Sequence, residues 1–385
     1  MISTFLMIVF VFLAISHCGG RTPTSSSYNA VNAPGLIHVT NGSTVGFYKT
    51  TGGYGFGSQS ASIFSLGNFW GGNQPFAQDP VTGVFFFGTN NSTQGNWVFY
   101  FSGTTGFEFG SLGPSEMKLQ SPGNSTGVGY SSSNKLLYVA DPANDVVTYL
   151  SSTKPAYGIG NSATNSIFAA PSGLSANFVN VAKNLVAISE TSAGSLYFMD
   201  ATNGNSIFAM GNKTNLPLVS GSTPCSTAAL VGPIQVSSNG SQAYLLCGPS
   251  VIYISLATSP TYLVSGSLSL STFATTGITS PTDFVYDSGD GTIIVVGNSR
   301  VIALDAQSGA LVNTIDLSTY SCGSGLSLGG VAYSSLNKQI YVTDSANSEV
   351  YVLESSSFGL ATGTCATSVF STVTDIPGPT KIGFF

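Results

Sequence analysis

The chain has 385 residues, and only 7% of them are Asp, Glu, Lys or Arg, against about 25% in an ordinary domain. Ten Lys and Arg against sixteen Asp and Glu cannot lay down the basic stripe that nucleic acid requires, so no nucleic-acid partner is expected. The same scarcity excludes coiled coils and helical solenoids, and 25 Phe with 17 Tyr exclude a disordered chain.

The N-terminus reads as an export signal. Phe5 to Ile15 is an unbroken apolar run, too short for the roughly twenty residues of a membrane span but right for a signal-peptide core. The expected organisation is therefore a signal peptide over 1–17, a linker over 18–34 and a folded region over 35–385. Secretion or display at the cell surface follows. Cys18, with Gly19, Gly20 and a Ser/Thr-rich tether behind it, resembles a bacterial lipoprotein start, although His17 stands where that pattern wants a small residue. Membrane attachment is expected only through a lipid on Cys18.

Beyond the linker the chain repeats. Val128 to Asp141 (VGYSSSNKLLYVAD) returns as Val331 to Asp344 (VAYSSLNKQIYVTD), and both continue through Ala and Asn into a further alternating run. The separation corresponds to four units of about fifty residues. Looser copies lie at Phe76 to Phe87, Phe178 to Ile188, Ile234 to Leu246 and Phe284 to Val296. In each, a polar or Gly-bearing turn joins two β-rich runs, which is a hairpin signal. Equivalent positions on the second strand fall at His38, Phe86, Tyr138, Ala187, Tyr244, Ile294 and Tyr341. Four short strands per unit predict an all-β, seven-bladed β-propeller. The first unit begins at its second strand, Ile37 to Asn41. The last residues, Pro379 to Phe385, match Pro281 to Asp287, the opening strand of the sixth unit. The C-terminal strand is thus expected to complete the first blade and close the ring, removing an open sheet edge.

Tyr138 to Asp141 and Tyr341 to Asp344, each followed by Asn and a Val-rich strand, resemble the NHL and YVTN type of β-propeller repeat. The resemblance covers most of residues 35–385 and is specific in the third and seventh units. It implies the propeller fold and a habit of binding. The group includes interaction modules, surface proteins and some enzymes, so fold alone does not choose among them.

Four cysteines follow the signal: Cys225, Cys247, Cys322 and Cys365. No C-x-x-C motif occurs, and an even number in an exported chain suggests two disulfides. Three pairings are open; the unit boundaries favour Cys225–Cys247 and Cys322–Cys365. Sequons at Asn41, Asn90, Asn91, Asn124, Asn212 and Asn239 are candidate glycosylation sites.

Catalytic groups are scarce. With His17 in the signal, His38 is the one histidine of the folded region, and its strand position argues for a structural role. No catalytic residue and no cofactor is expected. Metal binding is left open: Asp141 and Asp344 end equivalent strands, where they could gather a cation, but a repeated position more often caps its own turn. Asp287 to Gly291 faintly resembles a calcium loop yet lacks its distal Glu, and a hairpin turn is expected. The function expected is a non-enzymatic binding module for an extracellular protein, a glycan or an envelope component. The alternatives are a propeller lyase or hydrolase with carboxylates at the central channel, and a structural subunit of a surface assembly. The few carboxylates also suggest tolerance of acid, since little is left to titrate.

Overall fold

The computed structural model describes residues 36–384 with gaps: the strands named below, the turn residues 41–42, 133–135, 201, 237, 322, 363–365, 368 and 372, and, without interruption, 239–256, 270–320, 325–334, 338–361 and 376–384. The expected signal peptide, the linker and Cys18 lie outside the described residues, as do Cys225, Asn90, Asn91, Asn124 and Asn212.

The elements are β-strands, with one short 3₁₀ turn (Leu317–Tyr320) and no α-helix among the described residues. In chain order they are β1 (Leu36–Thr40), β2 (Thr44–Lys49) and β3 (Ser62–Ser65); β4 (Phe76–Asp79), β5 (Val84–Gly88), β6 (Trp97–Ser102) and β7 (Ser115–Lys118); β8 (Gly127–Ser131), β9 (Leu136–Asp141), β10 (Val146–Ser151) and β11 (Ser166–Ala169). There follow β12 (Ala176–Ala182), β13 (Leu185–Glu190), β14 (Ser195–Asp200) and β15 (Ser206–Met210); β16 (Leu230–Val236), β17 (Gln242–Cys247), β18 (Ser250–Ser255) and β19 (Leu270–Ala274). The chain continues through β20 (Pro281–Asp287), β21 (Thr292–Gly297), β22 (Arg300–Asp305) and β23 (Leu311–Asp316); then β24 (Leu328–Ser334), β25 (Gln339–Asp344), β26 (Glu349–Glu354), β27 (Gly359–Leu360) and β28 (Val369–Ser371); and finally β29 (Lys381–Phe384). Each group of consecutive strands forms an antiparallel up-and-down sheet, with β28 added beside β26. The last strand, β29, pairs with β1, setting Ile37 opposite Phe384 and Val39 opposite Ile382.

The sheets pack face to face in a propeller-like ring. Their first strands line up side by side: β4 against β8, β8 against β12, and so on through β16, β20, β24 and β29. His38 on β1 meets Phe76 on β4 edge-on, with ring centroids 4.1 Å apart. The apolar material is divided among the spaces between sheets. Leu185 and Phe198 meet Ile234, Leu245 and Ile254 in one cluster. Ile37, Val39 and Ile382 meet Tyr341 and Val350 in another. These side chains are nearly all inaccessible, and burial of each contributes about 1.5–3 kcal/mol. No single large core is required, which is how a repeat architecture grows past the usual domain size.

Two sequence signals explain the local geometry. The hairpin joining the first two strands of a unit needs a left-handed residue just before the second strand. Gly291 supplies it at φ 65°, and Lys135 and Lys338 hold the same place at φ 59° and 57°. The repeat tyrosine joins neighbouring sheets. Tyr138 donates to the Ala201 carbonyl, and Tyr244 donates to the Ala306 carbonyl at 3.2 Å, each just past the third strand of the following unit.

Cys322 and Cys365 form a disulfide, with Cα atoms 5.4 Å apart. Cys247 is also disulfide-bonded. Among the described residues, no helix is long and apolar enough to cross a membrane.

Candidate functional site

The strand registers place the repeat positions together. Opposite His38, Phe86, Tyr138, Ala187, Tyr244, Ile294 and Tyr341 stand Gly383, Ala77, Gly129, Asn180, Gln235, Val285 and Ala332 on the first strands. Most of these are small, because the first strands crowd together around the axis. A Cβ on Gly129 would meet Val181 at 2.7 Å, and one on Gly383 would collide with the His38 ring.

A first strand has a free edge that faces the next sheet, and its backbone groups need partners. Amide and hydroxyl side chains supply several. Asn180 Oδ1 accepts from the Val236 N–H at 3.0 Å. Gln235 straddles β20, with Nε2 donating to the Phe284 carbonyl (2.9 Å) and Oε1 accepting from the Tyr286 N–H (2.8 Å). Thr282 donates to the Leu328 carbonyl at 2.9 Å. The sheets that begin with β12, β16 and β20 thus each hold the edge of their successor.

The first strands enclose an axial cavity of about 340 Å³, with Phe76, Val128, Asn180, Gln235, Asp283 and Lys381 among its walls. It holds an ion pair: Lys381 Nζ lies 3.1 Å from Asp283 Oδ2, and the two side chains are 17% and 8% exposed. Oδ1 of Asp283 accepts from the Phe284 N–H. The pair connects β29 with β20, and β24 lies between them. Gly330 is the residue of β24 at the matching place, and a Cβ there would stand 2.8 Å from the Lys381 Cα. Absence of a side chain at Gly330 lets the β29 backbone lie close against β24, which brings Lys381 within reach of Asp283.

The residues singled out in the sequence do not gather in this cavity. Asp344 is buried and committed to its own turn. It accepts from the Ser327 N–H (2.9 Å), the Ala346 N–H (3.0 Å) and the Asn347 amide (2.6 Å). Asp141 is buried at the end of β9. Asp287 accepts from the Gly289 N–H (2.8 Å) in the β20–β21 turn. No group of metal-binding side chains occurs among the described residues. Burial holds the Glu349 carboxyl above the usual range, and it accepts from the Tyr351 hydroxyl at 3.0 Å. His38 is buried, and burial lowers its pKa to about 3, so it stays neutral at physiological pH.

Asn41 is held in the β1–β2 turn, donating from its amide to the Pro377 carbonyl (2.9 Å). Asn239 is exposed; its Oδ1 accepts from the hydroxyls of Ser237 and Ser241, both at 2.7 Å. Gly-x-Ser-x-Gly strings occur at Gly123 to Gly127 and at Gly325 to Gly329, the second running into strand β24. A nucleophile elbow needs a strand-to-helix turn, whereas Gly127 opens strand β8.

No family model matches the chain, and no curated protein does either. Solved structures do resemble it. A functionally unknown protein from Desulfotomaculum acetoxidans is 14% identical, with a TM-score of 0.59 over 91% of this chain and 98% of that one. The dihydro-heme d1 dehydrogenase NirN is 11% identical, with a TM-score of 0.55 over 94% of this chain and 77% of that one. Apo AztD from Citrobacter koseri is 13% identical, with a TM-score of 0.53 over 91% of this chain and 97% of that one. At these identities the likeness concerns the β-propeller fold alone.

Proposed function

We propose that the chain is a secreted or surface-displayed β-propeller of seven blades, closed by its C-terminal strand, that serves as a non-enzymatic binding module. The pairing of β29 with β1 supports the closure. The repeat spacing and the NHL/YVTN-like motifs support the blade number and the kinship. The Cys322–Cys365 disulfide fits an oxidising compartment.

One observation carries the binding reading: the charges of the axial cavity are already partnered. Lys381 neutralises Asp283, while Asn180 and Gln235 hold neighbouring backbone. A hydrolase or lyase needs a carboxylate or base poised with an altered pKa at the reacting centre. Paired charges and fixed amides instead suit recognition of a neutral or polar surface. The partner class is an extracellular protein, a glycan or an envelope component, and among the described residues Asn239 is an exposed sequon. Incubation of the full chain with immobilised envelope polysaccharides and a glycan array tests the reading. Saturable retention without chemical change of the retained material supports it. Turnover of any arrayed polymer favours the lyase or hydrolase alternative, and purification only as polymers favours the structural-subunit alternative.

A further inference from the structure

We infer that the axial cavity binds a vicinal diol of a monosaccharide unit on the Lys381–Asp283 pair. The inference rests on the binding-module reading and names the chemistry of its ligand.

An ammonium group has three protons. Among the described residues, Lys381 directs one of them to Asp283, and the pair faces the cavity. Its remaining protons point to a ligand with acceptor atoms. Asn180 also lines the cavity; its carbonyl oxygen is used on Val236, which leaves the amide N–H groups as donors. Asp283 is more than nine-tenths buried, and each of its carboxylate oxygens retains a lone pair beyond the bond it accepts.

Three ligand chemistries can be weighed against this arrangement. A hydrocarbon would strip water from the ammonium without replacing its hydrogen bonds, which is costly. An organic acid would place its carboxylate beside that of Asp283, and the like charges would repel. A diol suits both ends. One hydroxyl oxygen accepts from Lys381 while its neighbour donates to Asp283, and the 3.1 Å between Nζ and Oδ2 matches the spacing of adjacent equatorial hydroxyls on a pyranose. The C–H face of the ring then lies on apolar wall residues such as Phe76, Val128 and Ile382. At about 340 Å³ the cavity lies near the lower end of the usual range for ligand sites, roughly 300–1,000 Å³, so it takes a single sugar residue and not a long chain.

The test is titration of the full chain, by calorimetry and saturation-transfer NMR, with methyl glycosides of mannose, galactose and glucose. Trans-cyclohexane-1,2-diol is compared with cyclohexanol, and acetate and butyrate serve as acid probes. The control variant is the double change Asp283→Leu with Lys381→Met, because an apolar replacement of a whole buried ion pair is usually tolerated whereas removal of one partner is not. The expected result is millimolar binding of at least one glycoside and of the diol, tenfold or more over cyclohexanol. In the double variant, with an unchanged melting temperature, that binding is lost by at least tenfold. If the double variant fails to fold, Asp283→Asn is used; it keeps an acceptor but no charge, and a threefold or greater weakening is expected. Equal binding by wild type and the folded variant, or binding of the acids alone, overturns the inference. Absence of glycoside binding in a chain that still captures envelope material overturns the diol reading and leaves the binding module standing. Failure of both assays removes both.

Discussion

Replacement of His38 by Phe should remove a loss of stability that the wild type suffers between neutrality and pH 4. His38 is only 3% exposed, and burial lowers its pKa to about 3. In the unfolded chain the same imidazole takes a proton near pH 6.5. Below that value the unfolded state binds a proton that the folded state refuses. Stability therefore falls with pH by about 1.4 kcal/mol per unit until the folded histidine also titrates near pH 3. From pH 6.5 to pH 4 the loss comes to about 3 kcal/mol, a large part of the roughly 5–15 kcal/mol that holds a domain folded. Asp316 does not blur this window. The Ser318 hydroxyl, followed by Ser299 and Arg300, holds its pKa at about 2. Its contribution is complete above the unfolded carboxylate value near 3.9 and is lost only as pH falls toward 2. Phe is the natural replacement, because Phe86 fills the equivalent position opposite Ala77. Urea unfolding at pH 7, 6, 5 and 4 measures the effect. The wild-type curve should drop about 3 kcal/mol further than that of His38→Phe over this range. Parallel curves for the two proteins would refute the argument. The expectation of acid tolerance, drawn from the sparse carboxylates, then holds for the variant and not for the wild type: one buried imidazole outweighs the thin charge around it.

Three further outcomes follow from the packing. Reduction of Cys322–Cys365, which closes a loop spanning 43 residues, should lower stability by about 4 kcal/mol in the chain-entropy model, read as a shift in the urea midpoint. Deletion of 381–385 exposes the edge of β1 and strands Asp283 without its cation, so the melting temperature should drop sharply; an unchanged value contradicts the closed ring. Lys135→Gly should raise stability by about 0.5–1 kcal/mol, because Lys135 sits at φ 59° where the sister hairpin has Gly291, and a neutral or negative effect in thermal unfolding would show that its side chain compensates.

Much of this architecture was legible in the sequence for a physical reason. A hairpin is a local object, and its turn residues and alternating strands are adjacent in the chain. The seven second-strand positions chosen from the repeat therefore sit at one register, from His38 to Tyr341. The cavity was not legible in the same way, although one trace of it was present. In the alignment of Pro379 to Phe385 with Pro281 to Asp287, Lys381 falls on Asp283. Two opposite charges at one repeat position hint at a cross-ring pair. The hint stays silent without knowing that Gly330, at the same position on the strand between them, lets the β29 backbone come close. Asn180 and Gln235 were hidden differently: in a chain so rich in amides and hydroxyls, two more attract no notice. His38 was legible as a strand residue, but its burial depends on Phe76 and Gly383, which arrive from opposite ends of the sequence.

The Lys381–Asp283 contact also sets a schedule. Translation delivers Asp283 almost a hundred residues before Lys381, and domains begin to fold as they emerge from the ribosome. The sheets from β4 to β23 can form during that interval, yet the cavity lacks its cation and one of its walls until β29 has left the exit tunnel. A nascent or prematurely ended chain therefore carries Asp283 without its cation, and the pair forms only once β29 has emerged to lie beside β1.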